Sequence, residues 1–231
     1  MNEALILAGG TGMRLGAEIP KQYIEVDGRP VIAYSMDNFF QLKEIDKVRI
    51  VADVSWREYI LKYINKKKQK EKFSGFSEPG ETRQLSIINA LKDMQNYAKK
   101  EDLVIIHDAA RPCLSEELLR GCIRAAKGHD GVLPVLPMKD TVYYSEDGTR
   151  ISKLLNREQV LAGQAPEVFE FEKYMAANEA LLPEKIFNIN GSTEPAVLAG
   201  MDIVTISGDE KNYKITTPED LKRFREEMRK S

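Results

Sequence analysis

"LILAGGTGMRLGAEIPKQY", residues 5–23, runs an apolar segment straight into a loop holding four glycines, one arginine and, after a proline, one lysine. Bare backbone beside two fixed cations suits a chain of phosphates, which takes hydrogen bonds from backbone N–H groups and charge from side chains. Spacing removes two familiar versions of such a loop. The dinucleotide pattern GxGxxG, counted from Gly10, requires glycine at position 15, where Leu15 follows Arg14. The Walker pattern requires Gly-Lys-Ser/Thr at a set distance from Gly9 or Gly10, and none stands there. What remains is a glycine-rich turn facing a triphosphate, with Arg14 and Lys21 adding charge and Pro20 stiffening the approach to Lys21. A plain strand-to-helix turn explains one or two glycines, not four followed by two bases.

Working outward, short apolar runs alternate with amphipathic ones. Residues 4–8, 47–53, 103–108, 131–137 and 202–207 read as strands, and 30–42, 56–70, 82–100, 115–128 and 217–230 carry helical spacing. Ser115 followed by Glu116 and Glu117 is an N-terminal helix signal. Thr217-Pro218-Glu219-Asp220 is a stronger one, with a cap, a first-position proline and acids in the first turn. The alternation predicts an α/β, Rossmann-like fold: a mostly parallel sheet with helices on both faces and ligands beyond the carboxyl ends of its strands. One stretch breaks the rhythm. Residues 138–163 hold β-type residues around "EDG", which predicts a β-hairpin arm leaving the sheet. The run Lys66-Lys67-Lys68-Gln69-Lys70 reads as a solvated helix end.

The 231 residues are expected to form a single domain, 1–231, with a well-buried core. Lys+Arg 34 against Asp+Glu 36 gives a formal charge of −2, so no global field recruits nucleic acid or an anionic membrane. A small anion must be caught by a local basic cluster. Cys113 and Cys122 make no CxxC and no metal-ligand spacing with His107 or His129, and are expected to be reduced thiols. With no basic n-region and only "ALIL" as an early apolar run, the expectation is a soluble cytoplasmic protein.

The opening motif resembles the signature of sugar- and polyol-phosphate nucleotidyltransferases. "IIHDAARP" (105–112) resembles, more narrowly, the cytidylyltransferases acting on 2-C-methyl-D-erythritol 4-phosphate and on ribitol 5-phosphate. "KDT" (139–141), "NREQVLAGQAP" (156–166) and "NYKITTPEDL" (212–221) follow in that family's order, so the resemblance runs nearly end to end.

The resemblance implies transfer of CMP from CTP to a polyol phosphate with release of pyrophosphate. A phosphate monoester, with a second pKa of about 6, is already a nucleophile at neutral pH. The task is then to hold two polyanions together and neutralise developing charge, for which Arg14, Lys21 and Lys214 are the implied catalytic residues. Ala8, Gly9, Gly10, Gly12, Gly80, Glu81, Ser86, Asp108 and Ala109 are the implied nucleotide contacts. Arg83 and Arg111 are expected to organise their loops. Asp108, ending an apolar strand, is the expected ligand of Mg²⁺, with Mn²⁺ as a substitute. The chemistry needs no base, so His107 is read as structural. Thr141 and Arg157 match the positions that grip the acceptor phosphate. The arm at 138–163 matches one exchanged between two subunits, which implies a homodimer with sites completed by the partner.

The departures lie at the acceptor end. Asn190-Gly191 stands near the place of the family's Thr-Asp, with Glu194 close by; "QAPE" (164–167) replaces "QTPQ"; Asn156 replaces an aspartate before Arg157. The cytidylyl donor is thus better supported than the acceptor: methylerythritol phosphate on the overall motif set, ribitol phosphate or another polyol phosphate as the alternative. A non-catalytic nucleotide-binding module is the reading from another class, opposed by the joint presence of Arg14, Lys21, Asp108 and Lys214.

Overall fold

A computed structural model describes residues 1–10 and 19–230. Gly12 and Arg14 lie outside the described residues.

The chain begins with β1 (Asn2–Leu7), followed by a small ladder of β2 (Glu25–Val26) and β3 (Arg29–Pro30) and by α1 (Val31–Gln41). Then come β4 (Lys47–Val51), α2 (Val54–Ile64), β5 (Phe73–Ser77), α3 (Arg83–Met94) and β6 (Leu103–Asp108). The second half holds α4 (Glu116–Ala125), β7 (Gly131–Pro137), β8 (Val142–Tyr144), β9 (Lys153–Leu155), β10 (Leu161–Gly163) and β11 (Glu167–Glu170). It closes with α5 (Phe171–Glu179), α6 (Glu194–Leu198), β12 (Ile203–Ser207) and α7 (Pro218–Met228).

β6, β1, β4 and β5 lie side by side and parallel, and β11 joins β6 antiparallel. β7 follows β11, and pairs as well with β10 and, parallel, with β12. The mostly parallel α/β sheet is therefore present. Alternation along β1 explains its continuous apolar text. Ala4 and Ile6 pack with Phe39 and Phe40 of α1 and Leu119 of α4, whereas Leu5 packs with Ile87 and Leu91 of α3 and Tyr174 of α5. A strand covered on both faces needs apolar residues at every position.

The chain runs from β1 outward to β4 and β5 and returns to β6 on the other side of β1. β1 and β6 therefore flank a topological switch point, and their carboxyl ends open a crevice.

Both cap signals hold. Ser115 Oγ accepts from Leu118 N, and Thr217 and Asp220 form a reciprocal capping box around Pro218. Three expectations change. α2 stops at Ile64, so the lysine run lies beyond the helix; Lys67 is mostly buried and pairs with Asp37 of α1. The hairpin consists of β8 and β9, and residues 161–163 of the expected arm rejoin the main sheet as β10, because their backbone pairs with β7. β5 was not expected at all: its text FSGFS carries Gly75 at φ +128° beside a register shift in β4. A side chain at that φ is strained, and the Arg49 guanidinium lies 3.7 Å from where its Cβ would sit. Both cysteines are free.

Candidate active site

A cavity of about 700 Å³ opens at the switch point, its wall drawn from the segments that follow β1, β5 and β6 and from the segment before α7. Gly9, Gly10, Lys21, Gly80, Glu81, Ser86, Asp108 and Lys214, all expected from sequence, line it. Ala8 and Ala109 do not; they are buried behind the wall, at 2% and 1% exposure.

The glycine loop is held from beneath by a residue that sequence reasoning missed. Gln22, 4% exposed, donates its side-chain amide to the carbonyls of Ala8 and Gly10, each at 2.7 Å. The Tyr23 hydroxyl adds a bond to Ala8 O at 3.0 Å. Lys21, Gln22 and Tyr23 form one short 3₁₀ turn, so the turn that buries Gln22 and Tyr23 also presents Lys21 to the cavity. The two described glycines of the loop differ. A Cβ on Gly9 would sit 2.5 Å from Pro79 Cβ, whereas one on Gly10 would meet nothing within 4 Å among the described residues. Gly9 is required by packing against the segment after β5; no such contact with the described residues requires Gly10.

Asp108, at the end of β6, is the electrostatic centre. Its carboxylate meets Lys214 Nζ at 3.0 Å, Arg83 at 3.1 Å and Arg111 at 3.4 Å. Burial pushes the Asp108 carboxyl up, but these three cations outweigh it and hold it far below the usual carboxylate range. Lys214 lies in an irregular segment, where Ile215 N donates to Ala110 O of the β6 loop at 2.8 Å. Arg111 also donates to Asn212 O at 2.6 Å, which fixes the segment carrying Lys214 against the loop carrying Asp108.

The third wall is the N-terminus of α3. Thr82 caps it through Leu85 N, and the Ser86 hydroxyl accepts from Gly80 N and donates to Thr82 O, both at 2.9 Å. A Cβ on Gly80 would lie 2.5 Å from Leu85 Cβ, so the loop passes too close to the helix for any other residue. In this arrangement the Ser86 proton and the Gly80 N–H serve the loop's own shape. His107 is fully buried, and that burial lowers its pKa to about 4. Its Nε2 bonds Arg111 O at 3.1 Å, consistent with a neutral, structural imidazole.

Thr141 and Arg157 line a different cavity of about 490 Å³ at the hairpin, which shares no lining residue with the first. Within one chain, then, the structure gathers Lys21, Asp108 and Lys214 and leaves Thr141 and Arg157 apart from them.

Comparison with known proteins converges on one group. The family model described as 2-C-methyl-D-erythritol 4-phosphate cytidylyltransferase matches residues 3–230. This chain belongs to that family. A Geobacter metallireducens protein named 2-C-methyl-D-erythritol 4-phosphate cytidylyltransferase is 33% identical over 94% of this chain and 93% of its own. A Lacticaseibacillus paracasei protein named ribitol-5-phosphate cytidylyltransferase is 29% identical over 99% and 98%. The solved 4-diphosphocytidyl-2C-methyl-D-erythritol synthase of Anaerococcus prevotii superposes with a TM-score of 0.84 at 27% identity, over 99% of this chain and 96% of that one. As a member of the cytidylyltransferase family the chain is a nucleotidyl-transferring enzyme. No helix among the described residues is long and apolar enough to cross a membrane.

Proposed function

We propose that the chain transfers the cytidylyl group of CTP to the phosphate of 2-C-methyl-D-erythritol 4-phosphate. The observation that carries the reading is the set of cations at the switch point: Lys21 in the cavity wall, and Lys214, Arg83 and Arg111 around the Asp108 carboxylate. Such a set suits a polyanion and lacks the hydroxyl–imidazole pair of acyl-transfer enzymes. An acceptor phosphate oxygen attacks the α-phosphorus, a new P–O bond forms, the bond to the bridging oxygen breaks, and pyrophosphate leaves with the electron pair. Lys21 and Lys214 neutralise charge that grows on the phosphoryl oxygens in the transition state. Gly9 and Gly10, with Arg14 and Gly12, receive the triphosphate; Gly80, Glu81 and Ser86 face the base.

Asp108 fits a divalent cation of the Mg²⁺ type. Among the described residues no three His, Cys, Asp or Glu side chains are grouped to hold a metal, and Asp108 is a carboxylate of the cavity wall that is kept ionised. Mg²⁺ commonly binds through one or two carboxylates plus substrate phosphates. When bound, the ion would neutralise and orient phosphate oxygens.

We further propose a homodimer in which the partner's hairpin brings a second copy of Thr141 and Arg157 to the acceptor end. Tyr143, Ile151 and Leu154 support this: they are 53%, 68% and 65% exposed on a hairpin with only three residues per strand. Apolar side chains clustered on such a small element favour a covering surface. A cytoplasmic location belongs to the same reading.

A second acceptor, ribitol 5-phosphate, is favoured by the segment near Asn190. No carboxylate stands at Asn190-Gly191, and Glu194 Oε2 accepts from Asn190 N at 2.8 Å, so one of its oxygens is engaged within its own loop. A site lacking a partner for a substrate hydroxyl discriminates weakly. Competition kinetics at fixed CTP decide between the acceptors: a kcat/KM advantage for methylerythritol phosphate supports the first reading, and an advantage for ribitol 5-phosphate replaces it with the second.

A further inference from the structure

Glu167 and the segment around Asn190-Gly191 look like separate departures in the sequence, yet the structure joins them. Glu167 is buried at the start of β11, where its carboxylate accepts from Ser192 Oγ at 2.9 Å and Thr193 Oγ1 at 2.7 Å. Arg83 connects this pair to the nucleotide wall. One guanidinium nitrogen lies 3.6 Å from Glu167 Oε1 and 3.1 Å from Asp108 Oδ1, and another donates to Ser192 Oγ.

The consequence is a competition for charge. Asp108 faces Arg83, Arg111 and Lys214, so a metal ion arriving with a triphosphate must displace or share with protein cations. Glu167 offers the same Arg83 nitrogen a second anion, so Arg83 is shared between the two carboxylates rather than held by Asp108 alone. With Glu167 the cluster of three cations and two carboxylates carries a net +1; with glutamine in its place the same cluster would carry +2, and Asp108 would be the one carboxylate among the described residues left to pair with Arg83.

We propose that Glu167 is a positioning residue that retains Arg83 against the 192–193 wall and thereby leaves Asp108 able to hold a divalent cation with the nucleotide. The inference rests on Asp108 being the metal ligand. It also ties the acceptor-side segment to the donor side through Ser192.

The test is Mn²⁺ binding to the protein with CTP and no acceptor, followed by electron paramagnetic resonance, in the wild type, Glu167→Gln, Thr193→Val and Asp108→Asn. Glu167→Gln is expected to weaken Mn²⁺ binding tenfold or more, since one unit charge removed within about 10 Å of the ion is worth at least that factor at an effective dielectric near 20. Thr193→Val keeps both charges and is expected to bind Mn²⁺ like the wild type. Wild-type affinity in Glu167→Gln overturns the proposal, as does equal weakening in Thr193→Val. If Asp108→Asn binds Mn²⁺ normally, the metal role of Asp108 falls and the proposal falls with it. If Asp108→Asn is impaired and Glu167→Gln is not, the proposal alone falls. Should Glu167→Gln fail to fold, Ser192→Ala provides the second test, because it releases Arg83 from the same wall. About threefold weaker Mn²⁺ binding is expected there, the scale of one modest hydrogen bond, and no change overturns the proposal.

Discussion

Removing the support beneath the glycine loop should weaken nucleotide binding more than chemistry. In Gln22→Ala two hydrogen bonds of 2.7 Å disappear, to Ala8 O and Gly10 O. Ala8 O keeps the Tyr23 hydroxyl, and Gly10 is exposed enough for water to reach its carbonyl, so neither acceptor is stranded in an apolar interior. The loss is then about two net hydrogen bonds, roughly 2 kcal/mol of stability. The loop also becomes free to leave its bound shape. If CTP must restore the order of one residue, at about 1–2 kcal/mol, the KM for CTP rises roughly tenfold, with kcat near the wild-type value because the Gln22 amide is spent on the loop carbonyls. Gln22→Glu should be worse than alanine, since an ionised carboxylate would face two carbonyls with no donor. Urea unfolding and pyrophosphate release against CTP concentration measure the two effects. A Gln22→Ala protein with wild-type KM for CTP and an unchanged urea midpoint would refute the reasoning.

Gly9→Ala should lower both stability and activity, because its Cβ would sit 2.5 Å from Pro79, whereas Gly10→Ala should fold normally and lose CTP affinity; thermal melts with and without CTP separate the two. Lys21→Ala should fold normally and lose roughly 10² to 10³ in kcat, as expected for one contact that strengthens in the transition state; near-normal turnover removes it from the mechanism. Mixing Lys21→Ala with Arg157→Ala should restore activity if the hairpin completes the partner's site, and no rescue after verified subunit exchange means each chain completes its own. Because native His107 titrates at about 4 and an unfolded imidazole near 6.5, the unfolded chain binds the extra proton between those values and native stability falls as pH drops through that window. The ligand-free stability advantage over His107→Asn should shrink by about 3 kcal/mol between pH 7 and pH 4, and a pH-independent difference contradicts a buried neutral imidazole.

The sheet was legible wherever burial on both faces made the text continuously apolar, as in β1 and β6, and wherever chemistry marked an end, as at Ser115 and Thr217. β5 was hidden because Gly75 and two serines carry its bend and its polar contacts, which no periodicity announces. α5 went unseen because its buried face includes Asn178 as well as Phe171, Tyr174 and Met175, so its text is not cleanly amphipathic. In the site, Arg14 lies outside the described residues, whereas Lys21 and Asp108, which share the cavity wall, were singled out from residue type and spacing. Gln22 was not, since its role depends on the fold carrying two carbonyls to its amide; its one advance signal was a polar residue wedged between Lys21 and an aromatic beside a glycine loop. Lys214 was singled out by the resemblance alone, and Arg111 and Ile215 supply the physical reason, tying its segment to the β6 loop. Glu167 looked like a local substitution until Ser192 and Arg83 appeared on either side of it.

The most direct test is pyrophosphate release by the purified chain with CTP, UTP, GTP and dTTP, each against 2-C-methyl-D-erythritol 4-phosphate, ribitol 5-phosphate and the unphosphorylated polyols. The account predicts release with CTP and a phosphorylated polyol, and none with the unphosphorylated ones. Faster release with UTP or dTTP, or CTP binding without any release, would contradict it.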